Sequence, residues 1–187
     1  MKKYPGWENV EENGNFNSLK PGGYIAIIKN VADDANKECL KISYDIAEGE
    51  FKNYYMDLYR SQNFWGGNFF RSYKENAISF FKGFITAIEK SNPGYKWDWN
   101  EQGLKGKKVG IVLQEEEYIP QQGKHAGEVR IRLIIQEVHT LEKIRKGEYT
   151  VKEKKILTQS QSVQAQQTTN QFNKENSFDI MEDDIQF

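Results

Sequence analysis

The most constraining stretch of this 187-residue chain is Leu40-Lys41-Ile42-Ser43-Tyr44-Asp45-Ile46. An apolar side chain recurs at every second residue, with a polar one between. Side chains on a strand point alternately to opposite faces, so this spacing makes one wall apolar and the other wet. A single strand cannot cover such a wall by itself, which commits the chain to a sheet packed on an apolar layer. On this reading Leu40, Ile42, Tyr44 and Ile46 face a core, while Lys41, Ser43 and Asp45 face solvent.

The neighbouring segments supply the rest of that sheet. Pro21-Gly22-Gly23 reads as a turn into a first strand over residues 24–31, and Asp33-Asp34-Ala35-Asn36-Lys37 as the turn into the second. Glu48-Gly49-Glu50 leads to a third strand expected over 51–59, with Tyr54, Met56 and Leu58 inward and Tyr55, Asp57 and Tyr59 outward. Residues 60–73, RSQNFWGGNFFRSY, are rich in aromatics around Gly66-Gly67 and read as a loop too irregular for a strand. Over 74–89, Ala77, Ile78, Phe81, Phe84, Ile85 and Ile88 recur at helical spacing and predict an amphipathic helix, stopped by Asn92-Pro93-Gly94. Trp97 and Trp99 read as a packed edge. Strands four (107–117) and five (128–138) form a hairpin around 120–127, followed by a helical turn at 141–147 and an alternating, basic segment at 148–156 that has the pattern of an extra strand.

Three strands, a helix, then two strands is the connectivity of a mainly β, five-stranded OB-fold barrel with its helix between strands 3 and 4. A ferredoxin-like sandwich needs a helix after the first strand, and none is predicted there. The expected organisation is an N-terminal arm (1–20) packing Trp7 and Phe16 on the body, an OB-fold domain (21–156), a disordered Gln-rich linker (157–178) and an acidic tip (179–187). The linker lacks the apolar surface needed to offset ordering entropy.

Charge follows the same division. Residues 1–156 sum to +3 and residues 157–187 to −4, a mildly basic body carrying an acidic tail. That asymmetry is typical of nucleic-acid binders with an interaction tail. Cys39 is the one cysteine and His125 and His139 the two histidines, which excludes an internal disulfide and leaves no zinc set; no metal or cofactor is expected. The start lacks the apolar run of a signal peptide, and no stretch approaches the roughly 18 apolar residues of a membrane span, so a cytoplasmic protein is expected. There is no Gly-rich phosphate loop, and the Glu115-Glu116-Glu117 run with Lys107 and Lys108 cannot converge on one ion, because consecutive strand residues face opposite ways. The expectation is a binding protein, not an enzyme.

The tip Asp179-Ile180-Met181-Glu182-Asp183-Asp184-Ile185-Gln186-Phe187 places acids, then Ile, then a terminal Phe. This order resembles the C-terminal tip of bacterial and phage single-stranded DNA-binding proteins, with Gln186 where that family usually carries Pro. In the body, Pro21-Gly22-Gly23-Tyr24, Glu48-Gly49 and Leu104-Lys105-Gly106-Lys107-Lys108-Val109 resemble, in order, a family of small phage replication proteins that look like OB-type single-strand binders. The resemblance implies sequence-independent binding of single-stranded DNA in the host cytoplasm. It also implies recruitment of replication or recombination enzymes through Asp183, Asp184, Ile185 and Phe187, with a homo-oligomer compatible with this reading.

Single strands are held by rings that stack bases and by cations that track phosphates, and OB-folds present both on strands two and three with flanking loops. The DNA-binding candidates are Lys41, Tyr55, Tyr59, Arg60, Phe64, Trp65, Phe69, Phe70 and Arg71, with Lys124, Arg130 and Arg132 on the second hairpin. At least half of the loop aromatics are expected to staple the loop to the barrel, and Arg130 and Arg132 to pair with Glu115 and Glu117 across the hairpin. Two other classes fit the same chain: an OB-fold adaptor that binds protein and no nucleic acid, and a strand-annealing recombination protein. Salt separates the first from DNA binding, since phosphate contacts weaken steeply as salt rises.

Overall fold

The computed structural model describes residues 18–157. Trp7 and Phe16 of the arm, the linker beyond Leu157 and the tip with Asp183, Asp184, Ile185 and Phe187 lie outside the described residues. Strands β1 (Gly22–Asp34), β2 (Cys39–Ile46), β3 (Asn68–Ser72), β4 (Lys108–Tyr118) and β5 (Arg130–His139) form one antiparallel sheet in the order β3-β2-β1-β4-β5. Helix α1 (Tyr54–Gln62) lies between β2 and β3, α2 (Ile78–Ser91) between β3 and β4, and α3 (Leu141–Arg145) after β5.

β1 is the strand on which the sheet turns. Its first half, Gly22 to Ile27, pairs with Leu113 to Lys108 of β4, and its second half, Ala26 to Asp34, pairs with Ile46 to Cys39 of β2. A bulge at Lys29 interrupts the ladder with β2, between Ile28 and Asn30. β3 then pairs only with the start of β2, while β5 runs along Gly110 to Tyr118 of β4. The two edge strands are therefore staggered toward opposite ends of β1 and are not hydrogen-bonded to each other. The expected closed barrel is not formed; the sheet is open.

α2 covers the inner face and packs against β3, β4 and β5. Its buried residues Phe81, Phe84, Ile85, Ala87 and Ile88 meet the buried wall of Ile28, Ile42, Ile46, Val109, Ile111 and Leu113. Each large apolar side chain in that layer contributes about 1.5–3 kcal/mol relative to exposure. The outer side of β4 is also dry: Val112 and Ile25 are buried there, beneath α3 with Leu141 and Ile144. A Cβ at Gly110 would sit 2.5 Å from Ile144 Cγ1, and one at Gly23 would overlap the Tyr149 ring, so both glycines let this second layer approach the sheet.

The segment 51–59 corrects the expectation of a third strand: it is a turn followed by α1. The third strand instead comes from the aromatic loop, at Asn68–Ser72. Tyr54 and Leu58 do pack on the core, but Tyr55 is buried at 6% exposure, with its ring edge-on to Tyr44 at 5.3 Å. Asp45, expected outside, is wholly buried. The segment 148–156 forms no sixth strand: its one ladder contact is a parallel bridge at Lys155, whose N–H donates to Glu115 O (2.9 Å) and whose carbonyl accepts from Glu117 N–H (2.8 Å). Gln114 and Gln136 hold it further through their side chains, Gln136 donating to Thr150 O (2.9 Å) and accepting from Lys152 N–H (2.8 Å).

Gly67 shows how tightly β3 is entered. It is buried, its carbonyl accepts from Tyr44 N–H (2.7 Å), and an added Cβ would collide with the Tyr44 carbonyl and lie 2.6 Å from the Tyr55 ring. Gly67→Ala is expected to lower the unfolding free energy by about 1–3 kcal/mol, the usual range for overpacking. Urea denaturation would measure it.

Candidate nucleic-acid interface

The wet face of β2 and its neighbours is built by register. Asn30, Ser43 and Asn68 stand side by side across β1, β2 and β3, and Ala32, Lys41 and Phe70 form the next row. Ser43 Oγ donates to Asn68 Oδ1 (2.7 Å), and Asn68 Nδ2 donates to the Trp65 carbonyl (3.2 Å), which ties the loop before β3 to the sheet. Trp65 Nε1 donates to the Gly67 carbonyl (3.2 Å), so the indole is held in one orientation. Its ring lies 6.4 Å from Tyr59 of α1 and 6.3 Å from Tyr55 beneath. Together Lys29, Asn30, Ser43, Met56, Tyr59 and Trp65 line an open cleft of about 280 Å³.

Phe70 and Phe64 are each 58% exposed, large apolar rings that the core does not use. Lys41 is exposed and Lys29 half-buried, and neither has a carboxylate partner among the described residues. The bulge in β1 places Lys29 at the cleft instead of in the ladder. This face therefore combines rings, amides and unpaired cations in one place.

The expected candidates divide accordingly. Lys41, Tyr59, Phe64 and Trp65 belong to this face or its rim. Arg60 is exposed at the end of α1, beside Asp57 at 3.3 Å. Tyr55 and Phe69 are in the core, where burial pushes the Tyr55 phenol up in pKa and keeps it neutral. Arg71 shares the inner face of β3 with Phe69: its guanidinium lies 5.0 Å from the Phe69 ring centre and 5.7 Å from that of Phe84, and burial lowers its pKa. The exposed ring of the pair is Phe70, one residue along.

The second hairpin stands apart. Lys124, Arg130 and Arg132 are exposed, but they lie where β4 and β5 run on past Gly22, at the end of the sheet away from the Lys41 row. Arg132 pairs with Glu116, its direct cross-strand neighbour (2.7 Å), not with Glu115 or Glu117, and its guanidinium lies 4.8 Å from the Tyr118 ring centre. Lys155 binds the same carboxylate, also at 2.7 Å. Although burial opposes its charge, these hydrogen bonds hold Glu116 below the usual carboxylate range. Among the described residues no His, Cys, Asp and Glu group has the arrangement to hold a metal ion, and no helix is long and apolar enough to cross a membrane. No family model and no curated protein matches the chain.

Proposed function

We propose that the protein binds single-stranded DNA without sequence preference, along the outer face of β2 and β3. The observation that carries this reading is the juxtaposition of Phe70, Trp65 and Tyr59 with Lys41 and Lys29 on one open face. Bases stack on rings at about 1–3 kcal/mol each, and the cations track phosphates. The strand order β3-β2-β1-β4-β5, with a helix between β3 and β4, supports reading the sheet as an OB-type one left open between β3 and β5, and strands two and three are where OB-folds take oligonucleotides. The proposed activity is binding, with the acidic tip Asp183, Asp184, Ile185 and Phe187 serving to recruit replication or recombination enzymes.

The test is intrinsic Trp fluorescence of the full chain titrated with oligo(dT), with duplex of equal length, at two salt concentrations. Quenching by the single strand, a weak response to duplex and affinity that falls with salt are the expected results. A saturable response that ignores salt would count against phosphate contacts by Lys41 and Lys29. No response from a folded chain would remove the nucleic-acid reading.

A further inference from the structure

A second pocket, on the inner side of the Asp33 end of β1, has a different chemistry. Leu40 and Phe81, both buried, form its depth, and Tyr73, Trp97 and Trp99 supply further ring surface. Two carboxylates, Asp33 and Glu101, complete the lining, and no Lys or Arg is part of it. The rings meet at angles instead of stacking flat: Tyr73 to Phe81 at 6.1 Å, Phe81 to Trp97 at 6.1 Å and Trp97 to Trp99 at 6.2 Å. Tyr73 Oη donates to Asp33 Oδ1 (2.9 Å), a bond that pushes the phenol up to about 12, so the ring stays neutral and fixed. The volume is about 160 Å³, similar to a cavity of roughly 150 Å³ that admits a benzene.

Trp99 departs from the packed edge expected of it. It is 76% exposed, and its backbone φ is +64°, a left-handed conformation that bulky residues rarely adopt. The cause is local: Asn100 N–H reaches back to Asp98 Oδ1 (3.2 Å), and the residue between them takes the turn. A Gly or Asn would fit that position without strain. Instead the chain holds a strained, exposed indole at the mouth of a pocket, and backbone strain of this kind clusters at ligand clamps.

We propose that this pocket binds an alkylammonium cation, with Trp99 and Trp97 as ring walls and Asp33 and Glu101 as counter-charges. The faces of aromatic rings carry negative potential and attract desolvated cations, quaternary ammonium groups above all. Two carboxylates without a basic neighbour in the lining disfavour phosphate, which separates this site from the Lys41 face. The cation comes from a free quaternary amine or from the side chain of a lysine on a partner protein. The inference does not depend on DNA binding.

The test uses the ¹⁵N-labelled full chain, whose Trp indole N–H signals report each ring separately. Tetramethylammonium chloride is titrated against sodium chloride at equal ionic strength. In parallel arms, choline is compared with its neutral tert-butyl isostere, and N-acetyl-lysine methylamide with its trimethylated form. The expected result is saturable movement of the Trp97 and Trp99 signals, with Trp65 unmoved. Trp99→Ala should weaken binding at least about tenfold, and Asp33→Asn with Glu101→Gln several-fold, since cation–π attraction strengthens with desolvation. Tighter binding of the lysine compounds than of choline assigns the site to a partner protein, and the reverse to a free amine. Equal binding by the neutral isostere, an undiminished response in Trp99→Ala, or movement of these indoles by oligo(dT) alone overturns the proposal.

Discussion

Asp45→Ala is expected to cost about 3–5 kcal/mol of folding free energy, the range for uncovering several buried donors at once. The carboxylate is fully buried, and three backbone N–H groups converge on it: Ile46 at 2.8 Å and Tyr55 at 2.9 Å on Oδ1, and Met56 at 3.3 Å on Oδ2. The last two are in the first turn of α1, whose N–H groups have no partner within the helix. The residue in the capping position, Asn53, makes no side-chain hydrogen bond to that turn and has a φ of +64°. Asp45 thus caps the helix from the neighbouring strand, with its charge on the favourable side of the helix dipole. A loss of this size is a large share of an ordinary domain's stability of about 5–15 kcal/mol. Asp45→Asn keeps one acceptor and should fall between wild type and Ala. Urea denaturation measures all three; a loss below about 1 kcal/mol for the Ala variant would refute the capping role. Because α1 carries Tyr59, the same substitution should also blunt any response at the Trp65 cleft.

Phe70→Ala is expected to reduce affinity for oligo(dT) by roughly 5–150-fold, the equivalent of 1–3 kcal/mol for one lost stacking platform. Stability should change little, because the ring is already 58% exposed. Phe69→Ala is the informative partner: that ring is buried against Tyr44 at 5.6 Å and Phe84 at 5.9 Å, so its loss should lower stability by about 3–5 kcal/mol. Fluorescence anisotropy with labelled oligo(dT), beside urea melts of both variants, separates the two roles. If Phe70→Ala binds as tightly as wild type, the outer face of β3 is not the binding surface.

These two sites also show where sequence pattern stops. Strand β2 and helix α2 were legible because each carries one unambiguous period, 2.0 over Leu40 to Ile46 and 3.6 over Ala77 to Ile88. The segment over 51–59 carries both. Tyr54, Met56 and Leu58 alternate as in a strand, yet Tyr54 with Leu58 and Tyr55 with Tyr59 also stand one helical turn apart. Asn63, in the left-handed conformation with its N–H on the Tyr59 carbonyl, was the local sign of a helix end. The cap that decides the matter, Asp45, is ten residues from Tyr55 and invisible to any local period. Likewise two adjacent phenylalanines in a strand must face opposite ways, but nothing local says which faces in; the pairing of Phe69 with Ile42 and of Phe70 with Lys41 does.

Local spacing by itself determined that the chain builds an antiparallel sheet with a helix entering before the last hairpin, because side-chain periodicity is a property of neighbours along the chain. Tertiary structure alone decided that the sheet stays open, that α1 replaces the expected strand, and that Phe70 and Trp99 reach solvent while Tyr55 and Asp45 do not. Each of those outcomes depends on hydrogen bonds and packing between residues distant in sequence, where burial, not periodicity, sets the free energy.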